Sequence, residues 1–187
     1  VSLVLATYNA HKLREFARLL PDVELASLPA NSVAPEETGA TFAENALIKA
    51  RAAAAASGRA AIADDSGIEA EALGWLPGVR SARFAGEQAS DAENLAKLRA
   101  EAPAGSRARY VCVIAHVAAD GGERLFEGRC EGRLAAAPAG EGGFGYDPIF
   151  VADETPGRTM AELSDAEKDA ISHRGRAARE LLAWLSP

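Results

Sequence analysis

Ala61-Ile62-Ala63-Asp64-Asp65-Ser66-Gly67 is the stretch with the densest chemistry in the chain. A short apolar run ends in two adjacent carboxylates, a hydroxyl and a glycine. The run reads as a buried strand, with the acidic pair at its exit and the backbone turning on Gly67. Neighbouring carboxylates repel, and a cation relieves that repulsion. Hard oxygen ligands at a strand end suit Mg²⁺ when the ion also holds a substrate phosphate. Standing alone, the motif reads more simply as an acidic turn in solvent. The decision rests on how much phosphate-binding chemistry lies elsewhere.

That chemistry is spread along the whole chain. Thr7-Tyr8-Asn9-Ala10-His11-Lys12 comes after a first apolar run, Ser2 to Ala6, and precedes a helical pattern with Leu13, Phe16 and Leu20 on one face. A strand-to-helix turn of this kind presents backbone N–H groups and the positive end of a helix to an anion. The plain alternative is an N-cap by Asn9 and a solvated Lys12, and no Walker loop exists to overrule it. Glu36 and Glu37 sit in a loop, Pro29 to Ala40, and one of them is a candidate second metal ligand. Lys49 shares a helix face with Asn45. Pro138 to Phe150 is rich in glycine around Phe144 and Tyr146, so the main chain can approach a ligand and an aromatic ring can stack on a base. His173-Arg174 falls at the start of the last helix, where cations are electrostatically disfavoured. Binding an anion or a polar ring would explain that placement.

The elements that position these groups are legible in outline. Val23 to Leu28 is expected to be a second strand. Thr41-Phe42-Ala43-Glu44 is a capping box opening a helix to about Ser57, with Gly58 as its stop. Ile68 to Ala72 alternates apolar and acidic, as a half-exposed strand does. Leu73 to Gly78 is a turn with an apolar tip, and Arg80 and Arg83 serve to order the loop. Ser90 to Glu93 caps a helix reaching about Glu101, with Leu95 and Leu98 inward. Arg109 to Val117 is the clearest strand, and Glu123 to Leu134 returns after Asp120-Gly121-Gly122 as its partner. His116 reads as structural. Thr159 to Glu162 and Ser164 to Glu167 are further capping signals, Lys168 lies on a short helix, and Ser172 caps the last helix.

The chain has 187 residues, 48% of them hydrophobic, a globular composition sufficient for one domain in two lobes. Its formal net charge of -7 disfavours a nucleic-acid binder but allows a small anion held by focused cations. Cys112 and Cys130 read as buried thiols, with no zinc-type cluster. No apolar run spans a bilayer and no signal peptide is visible, so a cytoplasmic protein without a membrane partner is expected.

Together, Asp64, Asp65 and Glu36 or Glu37 face an inventory of phosphate-philic donors, Lys12, Lys49, Lys168 and Arg174, with Phe144 as a base platform. That inventory fits a Mg²⁺-dependent enzyme acting on a nucleotide polyphosphate. Five motifs then make the resemblance specific: Ala6 to Lys12; Glu36-Glu37-Thr38-Gly39 with Thr41 to Ala46; Ala63 to Gly67; Gly142 to Pro148; and Ser172 to Gly175. The chain resembles, nearly end to end, the inosine triphosphatase (dITP/XTP pyrophosphatase) family of noncanonical purine nucleoside triphosphate pyrophosphatases. One departure stands out: bacterial members carry glycine where Tyr8 stands.

The resemblance implies an α/β fold, a single domain over 1–187, in which a long curved mixed sheet with flanking helices forms two lobes around a central cleft. It implies a homodimer that hydrolyses ITP, dITP and XTP to the monophosphate and pyrophosphate with Mg²⁺. By position it implies that Thr7, Tyr8, Asn9, Ala10, His11 and Lys12 hold the triphosphate and that Lys49 supports it. Glu36 and Asp65 would bind the metal, with Glu37 as the alternative to Glu36, and Asp65 would be the proton acceptor. Ser66 would contact substrate; Phe144, Gly145, Tyr146 and Asp147 would form the base pocket; Lys168, His173 and Arg174 would close over the nucleotide, the last two reading the 6-keto base.

Three rivals compete with this reading. A serine hydrolase built on Ser66 lacks the G-x-S-x-G elbow. A non-catalytic nucleotide-binding module would bind without turnover. A pyrophosphatase for other nucleotides, ordinary or modified, would share the chemistry and differ in the base pocket.

Overall fold

A computed structural model of the chain describes residues 1–30 and 32–186. The fold is α/β. Its elements are β1 (Ser2–Leu5), α1 (Ala10–Leu19), β2 (Glu24–Ala26), α2 (Phe42–Ser57), β3 (Ala61–Ala70), β4 (Leu76–Pro77), α3 (Asp91–Glu101), β5 (Arg107–Val117), β6 (Glu123–Leu134), β7 (Phe150–Ala152), α4 (Asp165–Ile171) and α5 (His173–Leu185). Among the described residues the strands form one seven-stranded sheet in the order β2-β1-β3-β5-β6-β7, with β4 pairing β3. The sheet is mixed: β1 is parallel to β2 and β3, whereas β4 and β7 run antiparallel to β3 and β6.

The chain forms two compact units. The first comprises residues 1–65, 112–128 and 176–187; the second comprises 66–111 and 129–175. Each has its own apolar core. In the first, Leu3, Leu5, Phe16, Leu20, Ile62, Ile114, Phe126 and Leu181 pack together. In the second, Ile68, Leu98, Tyr110, Leu134, Ile149, Phe150 and Met160 do so. A fully buried side chain of this size contributes roughly 1.5–3 kcal/mol relative to exposure.

Local sequence signals act as expected in most elements. Thr41, Ser90 and Ser164 each take part in a complete capping box with the glutamate three residues on, and Glu162 Oε2 accepts from Thr159 N–H at 2.7 Å while the Thr159 hydroxyl donates to the Ala139 carbonyl. Gly58 ends α2 at φ 65°, the left-handed conformation that glycine adopts without a Cβ penalty. Cys112 and Cys130 are buried thiols that form no disulfide. His116 is buried edge-on against Trp184, with ring centroids 4.8 Å apart, and burial pushes its pKa down. Among the described residues no helix is long and apolar enough to cross a membrane.

Four expectations change. The expected second strand shrinks to three residues, because only Glu24 to Ala26 find partners on β1. Leu13 does not join Phe16 and Leu20 inside; it is exposed. The acidic pair does not stand at a strand exit: β3 continues unbroken from Ala61 to Ala70, through Asp64, Asp65 and Gly67. The half-exposed strand expected to run to Ala72 ends at Ala70, and Glu71–Leu73 is a short 3₁₀ turn. Gly67 therefore is needed for close approach and not for turning. A Cβ there would lie 2.3 Å from Ser81 Oγ and 2.5 Å from the Gly78 carbonyl oxygen.

Candidate active site

The first unit gathers the carboxylates and two lysines. Sheet pleating sends Asp64 and Asp65 to opposite faces of β3, although the Asp64 charge still contributes to raising the Asp65 pKa. Asp64 meets Lys12 of α1, with Nζ 3.0 Å from Oδ2, and the thiol of Cys112 lies 3.9 Å from the same oxygen. Asp65 meets α2: Asn45 Nδ2 donates to Oδ2 at 3.2 Å and Lys49 Nζ lies 3.5 Å from Oδ1. Asn45 and Lys49 are one helical turn apart, so a single helix face delivers both donors. Lys49 also pairs with Glu37 at 2.9 Å. Neither lysine is a solvated surface residue, since the side chains of Lys12 and Lys49 are each only 16% exposed.

Burial dominates the electrostatics. Desolvation pushes the Asp65 carboxyl above its ordinary value, against the opposing pull of Lys49 and Lys12. Desolvation works against the charge on Lys49, but Asp65, Asp64 and Glu37 together outweigh it and raise its pKa. Asp65 is thus a stronger base than a solvated carboxylate, held on both oxygens by amide and ammonium donors.

The turn before α1 is more committed than the sequence suggests. Asn9 Oδ1 accepts from His11 N–H at 2.8 Å and Lys12 N–H at 3.2 Å, and Thr7 Oγ1 accepts from Asn9 N–H at 3.2 Å. Three of the N–H groups expected to face an anion have internal acceptors. Tyr8 is 64% exposed and its hydroxyl donates to the Ser32 carbonyl at 2.9 Å, reaching into the loop that leads to Glu36 and Glu37. Glu36 itself is exposed.

These residues can be tested against a divalent ion. Among the described residues no three His, Cys, Asp or Glu side chains form a ready-made cage. Mg²⁺ seldom uses such a cage; it binds through one or two carboxylates and takes the rest of its shell from water and substrate phosphates. Ammonium groups already lie against Asp64, Asp65 and Glu37, so the donor set is one that attracts a cation. The residues fit an ion that arrives with a phosphate-bearing substrate.

The second unit carries the aromatic platform. Phe144 is half-buried, with Lys168 Nζ 5.0 Å and Arg174 Cζ 5.9 Å from its ring centroid. The loop is pinned at several points. Asp147, buried, accepts at Oδ2 from Phe144 N–H at 2.9 Å and from Lys168 Nζ at 2.7 Å, and at Oδ1 from Tyr110 Oη at 3.2 Å. Tyr146 Oη donates to the Ser81 carbonyl at 2.7 Å, and Gly145 N–H donates to Asp91 Oδ2 at 2.9 Å. His173 is buried and stacks on Tyr110. Arg174, only 1% exposed, donates from Nη2 to Ser66 Oγ at 2.8 Å. That contact speaks against a serine nucleophile, because a guanidinium offers no lone pair to take the hydroxyl proton.

The expected residues thus fall into two groups. Thr7 to Lys12, Glu36, Lys49 and Asp65 belong to the first unit; Ser66, Phe144 to Asp147, Lys168, His173 and Arg174 belong to the second. Sequence reading missed the support residues. Asp91 reads as an ordinary helix-start acid and Tyr110 as one apolar position of a core strand. Neither carries a local signal, because both act on residues far away in sequence.

Strand-borne carboxylates against lysines in one unit, and an aromatic platform flanked by cations in the other, are the side chains that a hydrolase of nucleotide phosphates uses. Residues 3–184 match the model of the Ham1 family, and the chain belongs to that family. It is 54% identical over 187 residues to the dITP/XTP pyrophosphatase of Symbiobacterium thermophilum, covering 98% of this chain and 94% of that protein. It is 50% identical to the dITP/XTP pyrophosphatase of Geobacillus kaustophilus, covering 96% and 91%. A solved HAM1 protein from Coxiella burnetii superposes with a TM-score of 0.86 at 44% identity, covering 100% of this chain and 98% of that one. The Ham1 protein of Staphylococcus aureus superposes at 0.85 with 41% identity, covering 99% and 98%.

Proposed function

We infer that this protein hydrolyses noncanonical purine nucleoside triphosphates, dITP, ITP and XTP, to the monophosphate and pyrophosphate. The observation that carries the reading is Asp65: a buried carboxylate of raised basicity, fixed by Asn45 and Lys49 on a strand that Lys12 also addresses. Such a group takes a proton from water more readily than a solvated aspartate does. The bond to be broken lies between the α- and β-phosphates. Asp65 orients the attacking water toward the α-phosphorus and receives its proton. Lys12 and Lys49 exchange their carboxylate partners for phosphate oxygens and balance the charge that builds on the leaving pyrophosphate. Mg²⁺, when bound, supplies charge neutralisation and orientation of the phosphates. By the family likeness Asp65 and Glu36 would hold it, with Glu37, which lies 2.9 Å from Lys49 Nζ, as the alternative to Glu36.

Base selection depends on donor chemistry. Lysine and arginine side chains donate hydrogen bonds and accept none. With His173 and Arg174 reading the base, a 6-oxo purine finds donors for its carbonyl, and a 6-amino purine leaves those donors opposed by N–H groups; Arg174 Cζ lies 5.9 Å from the Phe144 ring centroid. Rejection of guanine then rests on its 2-amino group. A cytoplasmic homodimer belongs to the same reading, supported by the family likeness, and sedimentation equilibrium tests the dimer.

Hydrolysis of dITP in heavy-oxygen water tests the chemistry. Attack at the α-phosphorus puts the label in dIMP and leaves pyrophosphate unlabelled. Label in the pyrophosphate would overturn the proposed site of attack.

A further inference from the structure

We propose that Tyr110 is a positioning residue of the base pocket, fixing the Phe144 platform and the His173 ring together and so contributing to the preference for a 6-oxo purine. The inference rests on the base-pocket reading and extends it to a residue that touches no substrate.

Tyr110 lies on β5 and is 6% exposed. Its ring stacks on His173, with centroids 4.6 Å apart and planes 10° from parallel. A second contact, with Phe150 at 4.6 Å and 58°, fixes the ring from another side. A core position of this kind is served equally well by phenylalanine as far as packing goes. The hydroxyl is what distinguishes it. It donates to Asp147 Oδ1 at 3.2 Å, and the other oxygen of the same carboxylate holds Phe144 N–H at 2.9 Å and Lys168 Nζ at 2.7 Å.

Among the described residues Asp147 is thus a hub with three donors, of which only Tyr110 comes from the sheet. The loop backbone sits directly on it: a Cβ at Gly143 would fall 2.1 Å from Asp147 Oδ2, and Gly143 has φ 68°. Rotation of that carboxylate therefore moves Phe144 and Lys168 with it. One strand side chain sets the carboxylate through its hydroxyl and the imidazole through its ring face. Burial and the neighbouring Asp147 charge hold the Tyr110 phenol far above its ordinary pKa, so it stays a donor throughout the working range.

The test is the ratio of kcat/KM for dITP to that for dATP, measured on one preparation with Mg²⁺, so that the folded fraction cancels. A wild-type enzyme showing no preference for dITP would overturn the base-pocket reading and this inference with it. Given that preference, Tyr110→Phe keeps the stack and removes the hydroxyl. The ratio is expected to fall about tenfold, the scale of one hydrogen bond to a charged group, with the loss appearing in KM for dITP more than in kcat. A wild-type ratio in Tyr110→Phe would overturn the proposal and leave the base-pocket reading standing. Site-specific 3-fluorotyrosine at position 110 covers the case in which that variant does not fold. It keeps the hydroxyl and the ring and makes the phenol a stronger donor, with one added fluorine; a ratio shifted by about twofold or more supports the proposal, and an unchanged ratio overturns it.

Discussion

In the proposed mechanism Asp65 serves a proton and a cation from one buried position. Asn45 and Lys49 hold its two oxygens, while desolvation keeps its affinity for a proton high. Asp65→Asn is expected to lower kcat by at least about a hundredfold, the usual scale for loss of a positioned base. Nucleotide binding should survive, as calorimetry with dITP in the absence of turnover would show. Wild-type-like rates would remove Asp65 from the mechanism. Glu36→Gln is expected to raise the Mg²⁺ concentration for half-maximal activity about tenfold, the low end for loss of a group that tunes a metal site, with Glu37→Gln shifting it less. The reverse order in a metal titration would assign the ligand to Glu37. The residue types were legible in the sequence, because lysines, paired aspartates and a glycine-backed phenylalanine have few other joint uses. Which glutamate is engaged was not, since a loop has no periodicity to say which side chain turns toward Lys49.

Elements with local signals were legible nearly to the residue. Capping boxes at Thr41, Ser90 and Ser164 fixed helix starts because donor and acceptor lie close together along the chain. Gly67 shows where local reading stops. Its neighbours Ser81 and Gly78 arrive from a later segment, so the sequence suggests a turn where the structure has an uninterrupted strand. Gly67→Ala should destabilise the fold by about 1–3 kcal/mol, as overpacking does, read as a lower thermal midpoint; an unchanged midpoint would contradict the close approach. The start of α4 gives a pH prediction. Arg158 and the Ser164 cap lower the Glu167 carboxyl from 4.5 to about 2. A carboxylate depressed in the folded state stabilises it above the unfolded pKa and loses that effect as pH falls through the folded one. Glu167→Gln should therefore melt below wild type at neutral pH, with the gap closing between about pH 4.5 and 2. A gap independent of pH would contradict the ion pair.

At the scale of the whole molecule, the sequence order hides the division of labour. The chain enters the second unit between Asp65 and Ser66, leaves after Val111, returns at Arg129 and leaves again after Gly175. No composition shift marks these points, because β3, β5, β6 and α5 run through them without a linker. The residues proposed for phosphate chemistry and those proposed for base chemistry thus belong to different units, each with its own core. With a net charge of -7, the proposed anion binding rests on a few focused cations, Lys12, Lys49, Lys168 and Arg174. The central claim is therefore joint specificity for bond and base. The measurement that tests it most directly is product analysis with Mg²⁺ across dITP, XTP, dATP, dGTP and dTTP, scoring pyrophosphate against orthophosphate. The account predicts pyrophosphate from dITP and XTP with kcat/KM at least about a hundredfold above the other three. Comparable turnover of dATP, dGTP or dTTP, or release of orthophosphate in place of pyrophosphate, would contradict it.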